Sequence, residues 1–262
     1  MRMSEIHIPT LAPEVIGQIG PVAVTNTMVN AWIAIVILFI FGLFITRSVR
    51  LRPGRVQNTA EFFLESLMGY FDQVTGARAK TMRFLPVVGS VFLFILLSNW
   101  LGLMPGTGSI TLGHSPLLRP ANTDLNLTVA MALVSVIASH LFAFGSIGFF
   151  AHANKFIQIG TIVKSLKHGP IAIFTALIEF MIGILEIIAE FAKVISLSLR
   201  LFGNIFAGEV LISVIGGLVA AVVPMPFMLL ELLVGLIQAS VFAMLTVVYL
   251  TVAGSEPHGA EH

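Results

Sequence analysis

The sequence predicts an all-α, polytopic membrane protein with about five crossings and one amphipathic surface helix. Of its 262 residues, 57% are hydrophobic and only 10% are charged, whereas a soluble domain usually carries about a quarter charged residues. Apolar runs such as "AWIAIVILFIFGLFI" and "FLPVVGSVFLFILLSNWLGLM" recur along the chain, and ~20 apolar residues span a ~30 Å hydrocarbon core. These runs and their connections account for nearly the whole chain, which predicts a single membrane domain over residues 1–262.

Residues 1–29 are predicted to form a polar N-terminal tail, followed by a first span over residues 30–52. The tail has acidic residues, prolines and glycines where a signal peptide would need an unbroken apolar core, so we expect it to be retained. The first span ends in a cluster of arginines and the helix-breaking sequence "RPGR". The chain has no cysteine, which excludes disulfides and thiolate metal sites.

Residues 57–75 are too polar to cross a membrane and predict an amphipathic helix. Acidic residues fall on one side, and the apolar residues that recur at steps of three and four are Phe63, Leu67, Tyr70, Phe71 and Val74. Asn58 followed by Glu61 predicts a capping box at its start. The helix lies either on the membrane surface or against its own bundle. A short helix within a loop is an equal alternative.

Two further spans are predicted at 84–104 and 125–150, joined by a turn-rich connection. The segment 170–223 then stays apolar for about 53 residues after its first proline, and as one helix it would be ~80 Å long. It is therefore either two spans with a concealed break or one steeply tilted helix. A "PMP" turn leads to a last helix at 227–253 and a polar tail at 254–262.

The distribution of Lys and Arg predicts the orientation. The connection after the first span holds seven of them and the connection after the third span holds three. The N-terminal tail, the loop after the second span and the final turn hold one, one and none. Basic residues concentrate in cytoplasmic loops, so the two rich connections are predicted to be cytoplasmic. If the long segment crosses once, five crossings place the N-terminus outside and the C-terminus in the cytoplasm.

Charged residues inside the last two apolar segments are the main functional signal. The basic ones are Lys193 and Arg200, and the acidic ones are Glu179, Glu186, Glu190, Glu209 and Glu231. Each charge at mid-membrane costs ~2.5–3.5 kcal/mol on insertion scales. Their confinement to two segments indicates a function rather than chance.

Helical geometry places most of these residues on one stripe. At about 100° per residue, six polar residues of the long segment fall within ~80° of one another: Glu179, Glu186, Glu190, Lys193, Arg200 and Asn204. Glu209 falls about 120° from Glu179, outside the stripe. On the last helix Glu231 and Gln238 are seven positions apart and share a face. The stripe could therefore meet a carboxyl group and an amide of the next helix.

Buried ion pairs within the chain are the alternative explanation. For Glu190 with Lys193, at a spacing of three, that alternative is as probable as a functional role. Arg200 has no acidic residue within one helical turn, and arginine stays protonated even when buried. It therefore needs water or an anionic partner, which could come from another chain. Glycines near Arg200 fit close helix packing, within this chain or with a partner.

The segment "SLSLRLFGNIFAGE" resembles the signature of subunit a of the F-type rotary ATP synthase, the membrane stator beside the rotating ring. Supporting matches are "SNWLGLMPG", "PANTDLNLTVAMAL" and "LIQASVFAMLTVVYL". Together these motifs cover most of the chain from the second span onward. The resemblance implies that the last two helices lie obliquely in the membrane, which favours one tilted helix over two spans.

The resemblance also implies roles for individual residues. Arg200 is expected to face the essential carboxylate of each rotor subunit, and Asn204, Glu209 and Gln238 match family positions near that arginine and along the aqueous access path. Glu231 lies where some bacterial members carry histidine. Further candidates for the proton path are Asn126 and His140 on the third span, with Glu186 and Glu190 at the cytoplasmic exit.

The partners implied by the resemblance are the rotor ring of c subunits, the peripheral-stalk b subunits, the lipid bilayer and protons. No cofactor, metal or nucleic acid is expected. The implied function is to supply two half-channels and the arginine that couples proton flow to rotation, without chemistry of its own, in a bacterial plasma membrane. Protons are preferred to sodium by family prevalence.

Two other classes are alternatives. A secondary transporter would use Arg200 to bind an anionic substrate, but transporters often show internal repeats and paired broken helices, which this sequence lacks. An intramembrane enzyme is disfavoured because His-Glu-x-x-His, Gly-x-Ser-x-Gly and Walker motifs are absent.

Overall fold

Six α-helices in the described part of the chain form a bundle, which confirms the all-α, polytopic class. The computed structural model describes residues 10–50, 54–104, 111–112, 115–116, 118–149, 152, 156, 170–218 and 223–254. The helices are α1 (Asn26–Ser48), α2 (Arg55–Thr75), α3 (Arg78–Gly102), α4 (Leu125–Ile147), α5 (Pro170–Leu218) and α6 (Pro224–Ala253). Among the described residues, α1, α3, α4 and α6 are long and apolar enough to cross a membrane. The count of five crossings, with α5 as the fifth, stays a prediction.

A β-hairpin precedes α1 within the segment predicted as a featureless tail. Strands β1 (Val15–Ile19) and β2 (Val22–Thr25) pair antiparallel with Ile19 opposite Val22, leaving Gly20 and Pro21 as the turn. Gly20 has φ +62°, and proline restricts Pro21 to negative φ. This combination fits a type II′ turn, in which only the first central residue has positive φ.

Helix α1 begins at Asn26, four residues before the predicted start, because Thr25 caps it. The Thr25 hydroxyl accepts a hydrogen bond from the Met28 backbone N–H at 3.3 Å, which satisfies one of the free donors of the first turn. Most of its large apolar side chains are exposed, Trp32 and Phe39 among them. In a membrane protein such a surface faces lipid or a partner chain.

Helix α2 starts two residues before the predicted boundary, and the predicted capping box is wrong. Gly54 occupies the N-cap position without a side-chain bond, and the Asn58 backbone N–H donates to the Gly54 carbonyl at 2.9 Å. Asn58 therefore lies inside the first turn. Leu67 and Phe71 are buried and pack on α3 and α6. The amphipathic helix thus covers its own bundle with that face.

Helix α5 is continuous over 49 residues, so no break interrupts the long apolar segment within Pro170–Leu218. The predicted end at residue 223 cannot be compared directly, because residues 219–222 lie outside the described part. Helix α6 begins at Pro224, three residues before the predicted start. Proline suits the first turn of a helix because the N–H it lacks has no intrahelical partner there.

Helices α3, α4, α5 and α6 enclose the apolar core. Its fully buried side chains include Val88, Ile95, Leu201, Phe242 and Leu250. The predicted span 84–104 corresponds to α3, which starts earlier, at Arg78. The predicted span 125–150 corresponds to α4, which ends earlier because Gly148, with φ +86°, caps it. The predicted tail at 254–262 lies outside the described residues apart from Gly254.

The connection between α3 and α4 is fixed by buried polar contacts. Asn122 lies in a short 3-10 helix (Ala121–Thr123), and its side-chain amide donates a hydrogen bond to Asn99 Oδ1 of α3 at 2.7 Å. Asp124 caps α4 and accepts from the Thr27 hydroxyl of α1 at 3.2 Å. Pro120 packs so closely against Gly102 that a Cβ atom there would overlap the proline ring. These contacts hold the loop before Asp124 against the end of the bundle where α3 ends and α4 begins.

Candidate functional site

Arg200 lies exposed near the middle of α5. Its only hydrogen bond to a described residue is from Nη2 to the Ser196 hydroxyl, one turn earlier, at 3.3 Å. Among the described residues, no carboxylate lies within ion-pair distance of its guanidinium. The site thus presents a permanent cation on the surface of an apolar helix.

Asn204 and Gln238 connect α5 to α6 one turn beyond Arg200. The Asn204 amide donates to Gln238 Oε1 at 2.9 Å. Gln238 is 4% exposed, while Asn204 is exposed. The predicted meeting of the stripe with an amide of the last helix is present in the structure. The contact fixes the two helices against each other beside the arginine.

Glu209 is ion-paired with Arg119, a residue of the connection between α3 and α4. Arg119 Nε donates to both carboxylate oxygens of Glu209, at 2.8 and 3.0 Å. The two other guanidinium nitrogens donate to the backbone carbonyls of Thr10 at 2.9 Å and Ala12 at 3.4 Å. The side chains of Arg119 and Glu209 are 4% and 16% exposed. The pair therefore ties α5 to the segment before β1.

Glu231 of α6 lies near this pair but outside it. Its side chain is 5% exposed, and its carboxyl group fills the space beside Gly208, the residue before Glu209. A Cβ atom at Gly208 would overlap that carboxyl group. Oε1 of Glu231 is buried and has no hydrogen-bond partner among the described residues. Glu231 thus approaches α5 at Gly208, the residue before Glu209, but its carboxyl group lies in a different environment.

A second cluster of ionisable groups lies toward the start of α5. Lys193 Nζ donates to Glu190 Oε1 at 2.6 Å, and His140 Nε2 of α4 is 3.5 Å from Glu190 Oε2. His140 Nδ1 is 3.0 Å from His152 Nε2. The ammonium group of Lys193 also lies 5.1 Å from the ring centroid of Tyr249 on α6. The Glu190–Lys193 ion pair considered from the sequence is present, and it is part of a larger cluster.

The other predicted site residues lie apart from these contacts. Asn126 is exposed at the start of α4, where its backbone N–H donates to Asp124 Oδ1 at 2.9 Å. Glu186 is half-buried on α5, one turn before Glu190. The side chain of Glu179 lies outside the described residues. His140, which the sequence suggested only as a further candidate on the third span, lies at Glu190 rather than near Glu209.

Arg119, His152 and Tyr249 are the residues that sequence reasoning missed. Arg119 was counted as a loop charge in the orientation argument, yet it is among the most buried charged residues described. Its signal was the context "LLRPANTD", in which an arginine stands between an apolar pair and a fixed turn. His152 lies in a polar connection, and no local pattern connects it with α4.

The site therefore consists of an acid–base cluster at Glu190 and an exposed arginine on α5, with Glu209 of α5 and Glu231 of α6 beyond the arginine. Ionisable groups thus lie on both sides of a fixed positive charge. Among the described residues, no group of three potential metal ligands occurs. The arrangement suits proton transfer interrupted by a cation.

Comparison with known proteins gives matches over almost the whole chain. A family model described as "ATP synthase A chain" matches residues 28–251. A protein named "ATP synthase subunit a" from Moorella thermoacetica is 32% identical over 239 residues, 91% of this chain and 94% of that protein. Proteins of the same name from Geotalea daltonii and Gloeobacter violaceus are 31% and 33% identical. These matches cover 95% and 94% of this chain, and 94% and 90% of the respective proteins.

Proposed function

The chain belongs to the family of ATP synthase subunit a proteins, and from this premise we propose that it is the stator of a rotary ATP synthase. The resemblance noted in the sequence is thereby confirmed at the level of the family. In the proposed function the chain provides two aqueous half-channels and the arginine that deprotonates carboxylates of a rotor ring. Proton flow across the membrane is then coupled to rotation and ATP synthesis.

The observation that carries this proposal is the state of Arg200. The guanidinium is exposed, and within the described residues it bonds only to Ser196. The acidic residues on either side already form ion pairs, Glu190 with Lys193 and Glu209 with Arg119. A permanent cation in apolar surroundings needs a counter-charge, and a carboxylate on a passing ring supplies one. Because the arginine favours the ionised form of that carboxylate, its proton leaves through one half-channel.

The polar residues on the two sides of Arg200 support one half-channel each. Asn204, Gln238, Glu209 and Glu231 line the outer side in this proposal, with Asn126 at the mouth. His140, Glu190 and Glu186 border the cytoplasmic side. The fixed charge of Arg200 repels a proton that would pass directly between them, so each proton travels on the ring. A membrane potential adds ~2.3 kcal/mol per charge per 100 mV to this step.

The partners and location follow from the same proposal. They are the rotor ring of c subunits, the peripheral-stalk b subunits and the lipid of a bacterial plasma membrane, with the N-terminus outside and the C-terminus in the cytoplasm. The chain carries no chemistry of its own. Protons are proposed as the coupling ion. ATP synthesis driven by a sodium gradient at constant pH would overturn that choice.

The central test is Arg200→Ala in the complete ATP synthase, reconstituted in vesicles with an imposed pH gradient. We expect ATP synthesis to fall to the background of uncoupled vesicles while the chain still assembles, because the variant lacks the cation that favours the ionised form of the ring carboxylate. Arg83→Ala, which removes an exposed arginine of α3, is the matched control and should retain synthesis. Near-normal synthesis by assembled Arg200→Ala would refute the stator role.

A further inference from the structure

We propose that Arg119 is a positioning residue that fixes Glu209 as a permanent anion, so that Glu231, which the proposed function already places in the outer half-channel, is the carboxyl group left to exchange protons there. The inference rests on the proposed function, because it assigns separate roles to two carboxyl groups of that half-channel. It differs from the simplest view, in which both carboxyl groups carry protons in turn.

The guanidinium of Arg119 is held at all three nitrogens. Nε donates hydrogen bonds to both oxygens of Glu209 at 2.8 and 3.0 Å. The terminal nitrogens donate to the backbone carbonyls of Thr10 and Ala12. Its own carbonyl accepts from the Asn30 amide of α1 at 2.7 Å. The Arg119 side chain therefore cannot turn away from Glu209 without giving up its contacts with the segment before β1, and its backbone is anchored to α1.

The charge of Arg119 requires that Glu209 stay ionised. An arginine does not deprotonate in a protein, and this one is 4% exposed. If Glu209 took up a proton, a buried guanidinium would be left without a counter-charge, which is strongly unfavourable. Phe206, whose ring centroid lies 5.8 Å from the guanidinium carbon, gives only weak compensation. Glu209 thus serves as the fixed counter-ion of Arg119.

Glu231 has the opposite environment. It is 5% exposed, no cation is paired with it among the described residues, and Oε1 has no hydrogen-bond partner there. A carboxyl group without a counter-ion can take up and release a proton without breaking an ion pair. The space for it exists because residue 208 is glycine.

Glu231 is also placed on the route to the stator arginine. Gln238 lies seven residues later on the same face of α6, and its carbonyl accepts from Asn204 of α5 at 2.9 Å. Asn204 is one turn from Arg200. The polar face of α6 therefore leads from Glu231 to Arg200, whereas Glu209 faces Arg119 and the segment before β1.

The test compares four changes in the complete ATP synthase in vesicles, with ATP-driven proton pumping as the measurement. Arg119→Gln and Glu209→Gln each break the pair and should lower pumping by at least about tenfold. Combining the two changes removes both charges, so pumping should recover to well above either single variant. Arg119→Lys, which keeps the charge, should lose less than Arg119→Gln. If the double variant pumps no better than Glu209→Gln, Glu209 itself carries protons and the inference is wrong.

Glu231 provides a second test that leaves the pair intact. Glu231→Gln keeps the shape but cannot titrate, and it should lower pumping by about tenfold or more. Glu231→His changes the shape but restores a titratable group, so it should pump faster than Glu231→Gln. A purely structural role would give the reverse order and overturn the inference.

The Arg200 and Glu231 variants together separate this inference from the proposed function. Loss of pumping in Arg200→Ala alongside normal pumping in Glu231→Gln would reject only this inference. Normal synthesis in Arg200→Ala would reject the stator role.

Discussion

The side-chain amide of Asn204 donates a hydrogen bond to Gln238 Oε1 at 2.9 Å, and this contact joins α5 to α6 one turn from Arg200. Gln238 is almost fully buried, and within the described residues Asn204 supplies the donor to its side-chain carbonyl. The relationship makes the position of Arg200 relative to α6 depend on two uncharged residues.

We expect Asn204→Ala to destabilise the assembled complex by about 1 kcal/mol, since it leaves a buried acceptor unpaired. Thermal denaturation of the purified complex measures the loss. Ser240→Ala is the matched control, because the Ser240 hydroxyl is bonded only to the Leu236 carbonyl of its own helix and its removal should change little. Equal melting temperatures for Asn204→Ala and the unmodified complex would contradict the prediction.

Gly102→Ala should destabilise the end of the bundle where α3 ends and α4 begins. The added Cβ would come within 2.7 Å of the Pro120 Cα atom, and backbone cannot move aside as a flexible side chain does. Overpacking of this kind costs about 1–3 kcal/mol, to be measured by thermal denaturation. Gly69→Ala meets nothing within 4 Å and should be neutral or slightly stabilising. A Gly102→Ala complex as stable as Gly69→Ala would count against the close packing described.

The cluster at Glu190 predicts a role for His140 in the cytoplasmic half-channel. His140→Gln keeps a polar side chain but cannot carry a proton between His152 and Glu190, so proton pumping should fall by about tenfold. Ser139→Ala, a change at the adjacent position that removes only a hydroxyl bonded to its own helix, is the control. Unchanged pumping in an assembled His140→Gln complex would exclude His140 from the path.

The corner between α2 and α3 should loosen in acid. The Thr81 hydroxyl nearby is the main influence that holds the pKa of Asp72 below its ordinary value of 3.8, and the charge of Arg78 adds to it against the opposing effect of burial. Because the folded pKa is the lower one, the stabilisation is complete above 3.8 and is lost as the pH falls through the folded pKa. The amide protection factors at residues 72–81, which compare exchange with that of an unstructured chain at the same pH, should therefore fall below pH 3.8.

Asp72→Asn is the control for this pH dependence. It removes the titrating carboxylate, including its 2.8 Å ion pair with Arg78, so the protection factors of the corner should no longer change over the same pH range. If the unmodified chain behaves like Asp72→Asn at every pH, the pairing does not stabilise the corner.

Local sequence patterns predicted the helices and the polar stripe because both depend on helical periodicity. The order of Glu190, Lys193, Arg200 and Asn204 along one face is a property of spacing alone, and the continuous helix preserves it. The contact of Asn204 with Gln238 needed only the further assumption that consecutive helices are neighbours. These parts of the site could be inferred without coordinates.

The contacts of Arg119 could not be inferred, since they join residues about 90 positions apart without a local signal. From the sequence, an arginine in a loop is expected to be solvated. Its burial follows only from the packing of the turn around Pro120 on Gly102. The hairpin before α1 was missed for a related reason: two strands of four or five residues around Gly-Pro resemble an irregular tail when length is the guide. The helix boundaries shifted because Thr25 and Pro224 act at the ends, where periodicity is weakest.

The unbroken course of α5 has a consequence for the permeability of the unassembled subunit. Arg200 stands ten residues after Glu190 and nine before Glu209, which at 1.5 Å per residue are gaps of about 15 and 14 Å along the helix. A proton hop across one hydrogen bond covers only about 3 Å. The side chains of this helix alone therefore cannot pass a proton from one end to the other. In the proposed function, newly inserted copies awaiting the ring should not leak, and a cell making the chain in excess should keep its gradient.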